Sequence, residues 1–179
     1  MHKAWFSGAL VGVLLFTGTA HGQSPGPSCT SAAHRQFDFW LGEWEVDGGP
    51  DGTQLVGKSS ITRVAKGCAI HENWRSAGGG DGQSLNAYDA ASGQWTQFWV
   101  GADGVILRLS GGLQDGAMVL GGTLDLPNGD PQLQRITWKP MADGRVSQHW
   151  ETSDDGGRQW KTSFLGHYRA VKSAVKSAE

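Results

Sequence analysis

The chain has 179 residues, with 17 acidic and 15 basic side chains for a formal net charge of −2, and it contains 28 glycines and nine tryptophans. This nearly balanced charge excludes nucleic acid or an anionic membrane as a partner attracted mainly by electrostatics. The length is sufficient for one domain with its own hydrophobic core.

The first 22 residues have the pattern of a secretory signal. Lys3 precedes the apolar run ALVGVLLFTGTA (9–20), and Ala20 and Gly22 place small residues where a signal peptidase cuts. The run is shorter than the roughly 20 apolar residues that a membrane-spanning helix needs. We predict a signal peptide over residues 1–22 and a periplasmic or secreted protein without membrane attachment after cleavage. An uncleaved anchor is the alternative.

The chain contains two cysteines, Cys29 and Cys68. In an oxidising compartment such a pair most simply forms a disulfide. Two free thiols or a metal site are the alternatives, but the sequence has neither a C-x-x-C motif nor a histidine pair with ligand spacing. We predict a disulfide and no metal.

Short breaks rich in Gly, Asp, Asn and Ser divide residues 43–169 into about ten candidate strands, for example DGGPDG (47–52), GADG (101–104) and SDDGG (153–157). Only AHRQFDFWL (33–41) suggests a helical turn. Many short strands with tight links predict an all-β fold, an up-and-down antiparallel barrel of about ten strands, with a β-sandwich as the alternative. We divide the chain into signal peptide (1–22), lead-in (23–36), barrel (37–170) and flexible tail (171–179).

One of these turns carries a known motif. Ser153, Asp155, Gly157 and Trp160 fit the S-x-D-x-G-x-x-W pattern of the Asp box, which is found in sialidase propellers. A propeller needs several copies at blade spacing, and here the motif occurs once. It therefore predicts a stapled hairpin and not a sialidase.

The segment FDFWLGEWEV (37–46) is too apolar for a loop. A helical turn followed by a strand places Trp40 and Trp44 on one side, with Gly42 allowing the backbone to bend between them. We interpret these three residues as a structural plug.

The G-x-W sequence at Gly42 and Trp44 resembles the opening of the first strand in calycin-type barrels. The wider set HRQFDFWLGEWEV, GCAIHENW, SLNAYD, WTQFWV, RITWKP and QHWETSDDGGRQW resembles a family of exported bacterial proteins, a domain of unknown function placed with lipocalin-like barrels. The resemblance extends from about Cys29 to Arg169 and implies a lipocalin-like fold and export. It also implies that Arg169 packs over Trp44 as a structural residue.

Polar residues recur among tryptophans on the predicted inner faces of several strands. Glu72 lies between Ile70 and Trp74 at a period of two, and Gln97 and Gln148 occupy equivalent positions in their own strands. Buried carboxyl and amide groups cost a few kcal/mol when nothing bonds to them. The pattern therefore predicts a cavity that holds a small molecule. The candidate ligand-binding residues are Glu72, Trp74, Asn86, Tyr88, Trp95, Gln97, Trp99, Arg108, Arg135, Gln148 and Trp150.

Three functions follow from this arrangement. The first is an exported barrel that binds a partly apolar small molecule, and the second is an enzyme of isomerase, cyclase or hydrolase type with Glu72 as general acid or base. The third is a structural envelope protein in which Arg108 or Arg135 pairs with Glu72 as a tie between strands. The sequence does not decide whether these two arginines point inward or outward, because the apolar residues of their strands are also candidates for the inner face.

A haem-binding barrel is a further alternative, since nitrobindin-like barrels hold haem through one histidine. The candidates are His149 and His167. The alternation places His149 on a polar face, and a surface position is the simpler interpretation for both. We therefore predict no cofactor.

Overall fold

The computed structural model describes residues 29–171, so the predicted signal peptide and residues 172–179 of the predicted tail lie outside the described part. Ten strands follow one another along the chain: β1 (Gly42–Gly48), β2 (Gln54–Val64), β3 (Ala69–Ser76), β4 (Gly82–Asp89), β5 (Gln94–Gly101), β6 (Ile106–Gln114), β7 (Ala117–Asp125), β8 (Pro131–Pro140), β9 (Val146–Ser153) and β10 (Lys161–Ala170). Three short 3₁₀ segments accompany them, at Ala32–Arg35, Asp38–Trp40 and Ala65–Gly67. Between residues 29 and 171, no helix is long and apolar enough to cross a membrane.

Each strand pairs antiparallel with its neighbours in the chain, and β1 pairs with β10, so the sheet closes into a barrel. The closing register places Trp44 opposite Ala170 and Val46 opposite Tyr168. Closure leaves no unpaired strand edge, which a meander of this length otherwise exposes. The predicted up-and-down barrel is confirmed and the β-sandwich alternative is wrong.

The N-terminal segment fills one end of the barrel, which we call the plugged end. Phe37 and Trp40 are completely buried there and stack with their ring centroids 4.9 Å apart. Trp95 and Trp138 pack edge-on against Phe37, and Tyr168 packs edge-on against Trp40. The predicted helical turn therefore serves as an aromatic plug, and it consists of two 3₁₀ segments instead of one turn.

Trp44 is buried at the start of β1, and its indole Nε1 donates a hydrogen bond of 2.9 Å to the carbonyl oxygen of Trp40. Gly42 between them has a φ of +143°, a backbone conformation that side chains disfavour. The predicted bend at Gly42 is thus present, and it joins the plug to the first strand.

Arg169 does not pack over Trp44 as the family resemblance implied. It lies opposite Glu45 in the β1–β10 register, on the outer face, where its guanidinium contacts Glu45 at 3.1 Å and Asp47 at 3.3 Å. Because side chains alternate between faces along a strand, the neighbouring Tyr168 takes the inner position beside Trp44.

A disulfide joins Cys29, at the start of the described chain, to Cys68, just before β3, as predicted. The ion pair between Asp38 and Arg63 links the same two regions. Together these contacts hold the plug against the barrel end.

The β9–β10 hairpin has the predicted Asp-box staple. The Ser153 hydroxyl donates to Asp155 at 2.9 Å and accepts from the Gly157 amide at 2.9 Å. The Gln159 amide donates to Asp155 and the Trp160 indole donates to the Gly157 carbonyl. These bonds fix the loop conformation through side chains.

Replacing both Cys29 and Cys68 by Ser is expected to lower the free energy of unfolding by about 3–4 kcal/mol, because the disulfide closes a loop with a sequence separation of 39 residues and restricts the unfolded chain. Guanidinium unfolding of the oxidised wild type and the double variant measures this difference. Reduced wild type is the matched control and should resemble the variant. Equal stability of all three samples would show that the cross-link does not support the fold.

Candidate functional site

The inner face of β3 carries the most distinctive group in the barrel. Ile70 is fully buried, Glu72 is only 3 % exposed, and Trp74 is half-buried against the core. These three residues point inward as the period of two predicted. A carboxyl group therefore lies inside the barrel between an aliphatic and an aromatic side chain.

Glu72 is held by serine hydroxyls from both neighbouring strands. Ser59 on β2 donates to Oε1 at 3.2 Å, and Ser84 on β4 donates to Oε2 at 2.9 Å. Neither strand supplies an arginine or a lysine to this carboxyl within the described chain. The buried acid thus has neutral hydrogen-bond partners in place of a counter-charge.

Neither of the two candidate partners of Glu72, Arg108 and Arg135, faces the inside of the barrel. Arg108 is exposed and lies over the ring of Phe98, 5.2 Å from its centroid, on the outer face. Arg135 pairs with Glu151 at 3.0 Å and lies 4.0 Å from the centroid of the Trp160 ring, also outside. Leu107 and Leu109 beside Arg108, and Gln134 and Ile136 beside Arg135, are buried on the inner face, and the alternation therefore directs both arginines outward.

Because the Glu72 carboxyl is buried without a cation beside it, its pKa changes. Desolvation raises the pKa of Glu72 from 4.5 to about 7, and the bonds from Ser84 and Ser59 offset part of that effect. Burial, and then the nearby Glu72 carboxylate, raises the pKa of the Tyr168 phenol well above its usual range. Glu72 therefore exchanges its proton near neutral pH while Tyr168 stays neutral.

A line of amides extends from Glu72 along β4 and β5. The Asn86 amide donates to the Ser84 hydroxyl at 2.9 Å, and the Gln97 amide donates to Asn86 Oδ1 at 2.8 Å. Each amide therefore donates to a neighbour that lies one step closer to Glu72. The inward positions predicted for Asn86 and Gln97 are confirmed. Ser59 was not predicted, because the sequence around it gives no clear alternation.

Gln148 on β9 forms the opposite side of the site. Its Oε1 accepts a hydrogen bond from the Tyr168 hydroxyl, and its predicted inward position is confirmed. Among the described residues, Gln148 Nε2 and Gln97 Oε1 have no hydrogen-bond partner although both side chains line the cavity. The site therefore presents one free amide donor and one free amide acceptor.

Glu72, Gln97, Gln148 and Tyr168 lie at the bottom of a cavity of about 470 Å³. The predicted binding residue Asn86 is completely buried behind Gln97 and does not line the cavity. The cavity opens at the end opposite the plug, since residues of the β3–β4 and β5–β6 loops, Asp81 and Asp103 among them, also line it. Its full lining comprises Val56, Glu72, Trp74, Ser76, Gly80, Asp81, Gln97, Trp99, Gly101, Asp103, Val105, Leu107, Ile136, Gln148, Trp150, Ser163, Phe164 and Tyr168.

Two glycines set the position of the cavity walls. A Cβ added at Gly57 would lie 2.4 Å from the Trp74 ring, and one at Gly82 would lie 2.2 Å from the Trp99 ring. Both distances are far below van der Waals contact, so the indoles lie flat over backbone that has no side chain. The sequence pattern placed Gly82 in the turn 77–82 and did not indicate that either glycine makes room for tryptophan, whereas the structure begins β4 at Gly82.

Two other predicted site residues lie away from the cavity. Trp95 is buried under the plug, where its Nε1 donates to the Ala33 carbonyl at 3.2 Å, and Tyr88 packs between Trp95 and His34. Both belong to the plugged end and do not line the cavity. Trp150 does line it, with its Nε1 bonded to Gln134 Oε1 at 2.8 Å.

Neither candidate haem ligand points inward. His149 contacts Thr162 at 2.8 Å on the outer face, and His167 lies on the face opposite to its inward neighbour Tyr168. No histidine of the described chain lines the cavity. In residues 29–171 there is also no group of three or more His, Cys, Asp or Glu side chains able to hold a metal ion.

The chain matches no protein-family model and no curated protein at a significant level. The resemblance to an exported lipocalin-like family accordingly stays a prediction.

Replacing Glu72 by Gln is expected to remove a pH dependence of stability. The folded chain keeps the Glu72 proton up to a pKa of about 7 and the unfolded chain releases it near 4.5, so this proton stabilises the fold fully below pH 4.5. That stabilisation, on the order of 3 kcal/mol, is lost as the pH rises to 7. Urea unfolding at pH 4.5 and pH 8 measures it.

The wild type should therefore lose roughly 3 kcal/mol more than Glu72→Gln between these two pH values. Glu43→Gln, which alters an exposed carboxyl on β1, is the matched control and should behave as the wild type does. Identical pH profiles for wild type and Glu72→Gln would mean that the Glu72 carboxyl is hydrated in the folded protein.

Proposed function

We propose that this protein is an exported small-molecule-binding barrel that holds a partly apolar ligand in the cavity above Glu72. The observation that carries the proposal is a cavity of about 470 Å³ with aromatic walls and polar groups at its bottom. A volume of several hundred Å³ with a few placed polar groups is the usual composition of a site for a small molecule.

The unpaired amide atoms support a ligand more than a structural role. Gln97 Oε1 and Gln148 Nε2 belong to side chains that line the cavity, and neither atom has a hydrogen-bond partner within residues 29–171. An interior that served only for stability would have apolar side chains at these positions. A guest in the cavity can donate to Gln97 Oε1 and accept from Gln148 Nε2.

The cavity walls provide the apolar part of the recognition. Trp74, Trp99 and Trp150 on three different strands line the cavity together with Phe164. Trp74 packs edge-on against Phe164, with ring centroids 5.9 Å apart, and donates from Nε1 to the Gly80 carbonyl at 3.1 Å. Rings fixed in this way lose little conformational entropy when a ligand packs against them.

Export is supported by the Cys29–Cys68 disulfide, which persists in oxidising compartments such as the periplasm or the extracellular space. The signal-peptide pattern of residues 1–22 agrees with it. The proposed destination is therefore the periplasm or the medium.

A second candidate function is catalysis by Glu72. A carboxyl with a pKa of about 7 inside a cavity is suited to general acid–base chemistry at neutral pH. Under this alternative Glu72→Gln abolishes turnover of a substrate while the substrate still binds. The binding function instead predicts that the bound molecule is recovered unchanged from both proteins.

Binding of N-phenyl-1-naphthylamine, a neutral aromatic dye that brightens in apolar surroundings, tests the proposed function. The wild type should give a saturable 1:1 fluorescence increase. Leu107→Trp fills part of the cavity and should weaken the dye affinity at least tenfold. Leu85→Trp places the same indole on the outer face, where Leu85 is exposed, and should change the affinity less than twofold.

Melting curves of both variants establish that they fold before affinities are compared. Absence of saturable binding by the wild type, or equal affinity of the folded Leu107→Trp variant, would refute binding inside the barrel.

A further inference from the structure

We propose that the molecule held in this cavity is an organic cation, an ammonium group on an apolar or aromatic body, and that its charge pairs with the Glu72 carboxylate. This inference rests on the proposed function and specifies its ligand class. It is drawn from the charges that line the cavity, from the free capacity of Glu72 and from the nature of the walls.

The cavity lining has acidic groups and, within residues 29–171, no basic ones. Glu72 lies at the bottom and Asp81 and Asp103 at the mouth, and the lining includes no Lys, Arg or His. Elsewhere on the barrel, acidic side chains such as Glu45 and Glu151 are paired with arginine. Unlike Glu45 and Glu151, the acids that face the cavity have no cationic partner in the described chain. A cationic guest would supply that partner.

The Glu72 carboxylate has capacity left for such a guest. Each of its oxygens accepts one serine hydroxyl, whereas a carboxylate oxygen can accept two hydrogen bonds. The remaining positions are on the cavity side, since Glu72 itself lines the cavity. A buried carboxyl with unused acceptor sites and no counter-charge favours a ligand that brings positive charge.

The walls beside Glu72 also suit a cation. Trp74 is two residues farther along the same face of β3, so it lies about 7 Å nearer the mouth. The Trp99 and Trp150 rings line the cavity with it. Indole faces attract ammonium groups, especially quaternary ones, and the attraction increases where water is excluded.

The mouth carboxylates serve a separate purpose. Asp81 and Asp103 each accept a backbone amide, from Ser76 and Val105, at 3.0 Å. Their charges at the cavity opening attract cations from solution and repel anions. They are therefore expected to raise the affinity for a cation without controlling its dependence on the protonation of Glu72.

Binding of a permanent cation displaces the proton of Glu72 into solvent. Besides Glu72, the ionisable groups facing the cavity are Tyr168 on β10, which remains neutral, and the two mouth aspartates. Lys58 and His71, on β2 and β3, belong to the opposite outer faces, between inward residues. With a Glu72 pKa of about 7, the ionised fraction increases about tenfold between pH 6 and pH 8, and the affinity for a cation should increase equally.

The test compares two compounds of nearly equal shape, trimethyl(2-phenylethyl)ammonium and its uncharged carbon isostere (3,3-dimethylbutyl)benzene. Affinities for the wild type, Glu72→Gln and the double variant Asp81→Asn, Asp103→Asn are measured by calorimetry or by displacement of N-phenyl-1-naphthylamine at pH 6 and pH 8. At pH 8 the wild type should bind the cation at least tenfold more tightly than the isostere, and about tenfold more tightly than at pH 6.

Glu72→Gln should lose both the preference for the cation and its pH dependence, and the isostere should bind it as it binds the wild type. The double aspartate variant should bind the cation more weakly but keep the pH dependence. Retained isostere binding in Glu72→Gln shows that the variant is folded.

Equal binding of cation and isostere, or a preference for the cation that persists in Glu72→Gln, would overturn the inference and leave the binding function standing. If neither the cation nor the isostere binds while the neutral dye binds tightly, the inference is likewise overturned and the binding function stands. Failure of all three compounds would refute the proposed function itself.

Discussion

Within residues 29–171 the fold encloses one carboxyl group without a counter-charge, and the properties of the site depend on that constraint. Glu72 is buried between Ile70 and Trp74, and its oxygens accept the hydroxyls of Ser59 and Ser84 and no other hydrogen bond from the described part of the chain. Neutral donors offset part of the desolvation cost but do not replace a cation, and the pKa of the carboxyl therefore rises to about 7. Such a group is an uncommon choice for stability and a suitable one for recognition.

The two ends of the barrel divide stability and recognition between them. At the plugged end, Phe37 and Trp40 fill the interior completely, and the disulfide and the Asp38–Arg63 pair attach that segment to the sheet. Toward the other end the strands continue but the filling segment does not, so the inner side chains surround an open space. A rigid, closed end is what allows polar groups above it to be held in fixed positions.

The barrel could be predicted from the sequence because its turns are marked by Gly, Asp, Asn and Ser, and because polar and apolar residues alternate along its strands. The sequence predicted Glu72, Gln97 and Gln148 correctly because each lies between inward apolar residues. The faces of Arg108 and Arg135 could not be assigned from the sequence, because alternation decides a face only when the register of the strand is known. Tyr168 was not predicted, because the family resemblance implied an inward Arg169 and alternation then directs its neighbour outward. The glycines under the tryptophans depend on contacts between strands, which no pattern within a single strand contains.

Titration of Glu72 itself tests the central claim most directly. Glutamate side chains labelled with ¹³C at the carboxyl carbon give one NMR signal each, and the signal missing from Glu72→Gln identifies Glu72. The midpoint of that signal is expected near pH 7, separated from those of the other glutamates. A midpoint near 4.5 would show that water or a charged partner solvates the carboxyl, and the uncompensated acid at the bottom of the cavity would not exist.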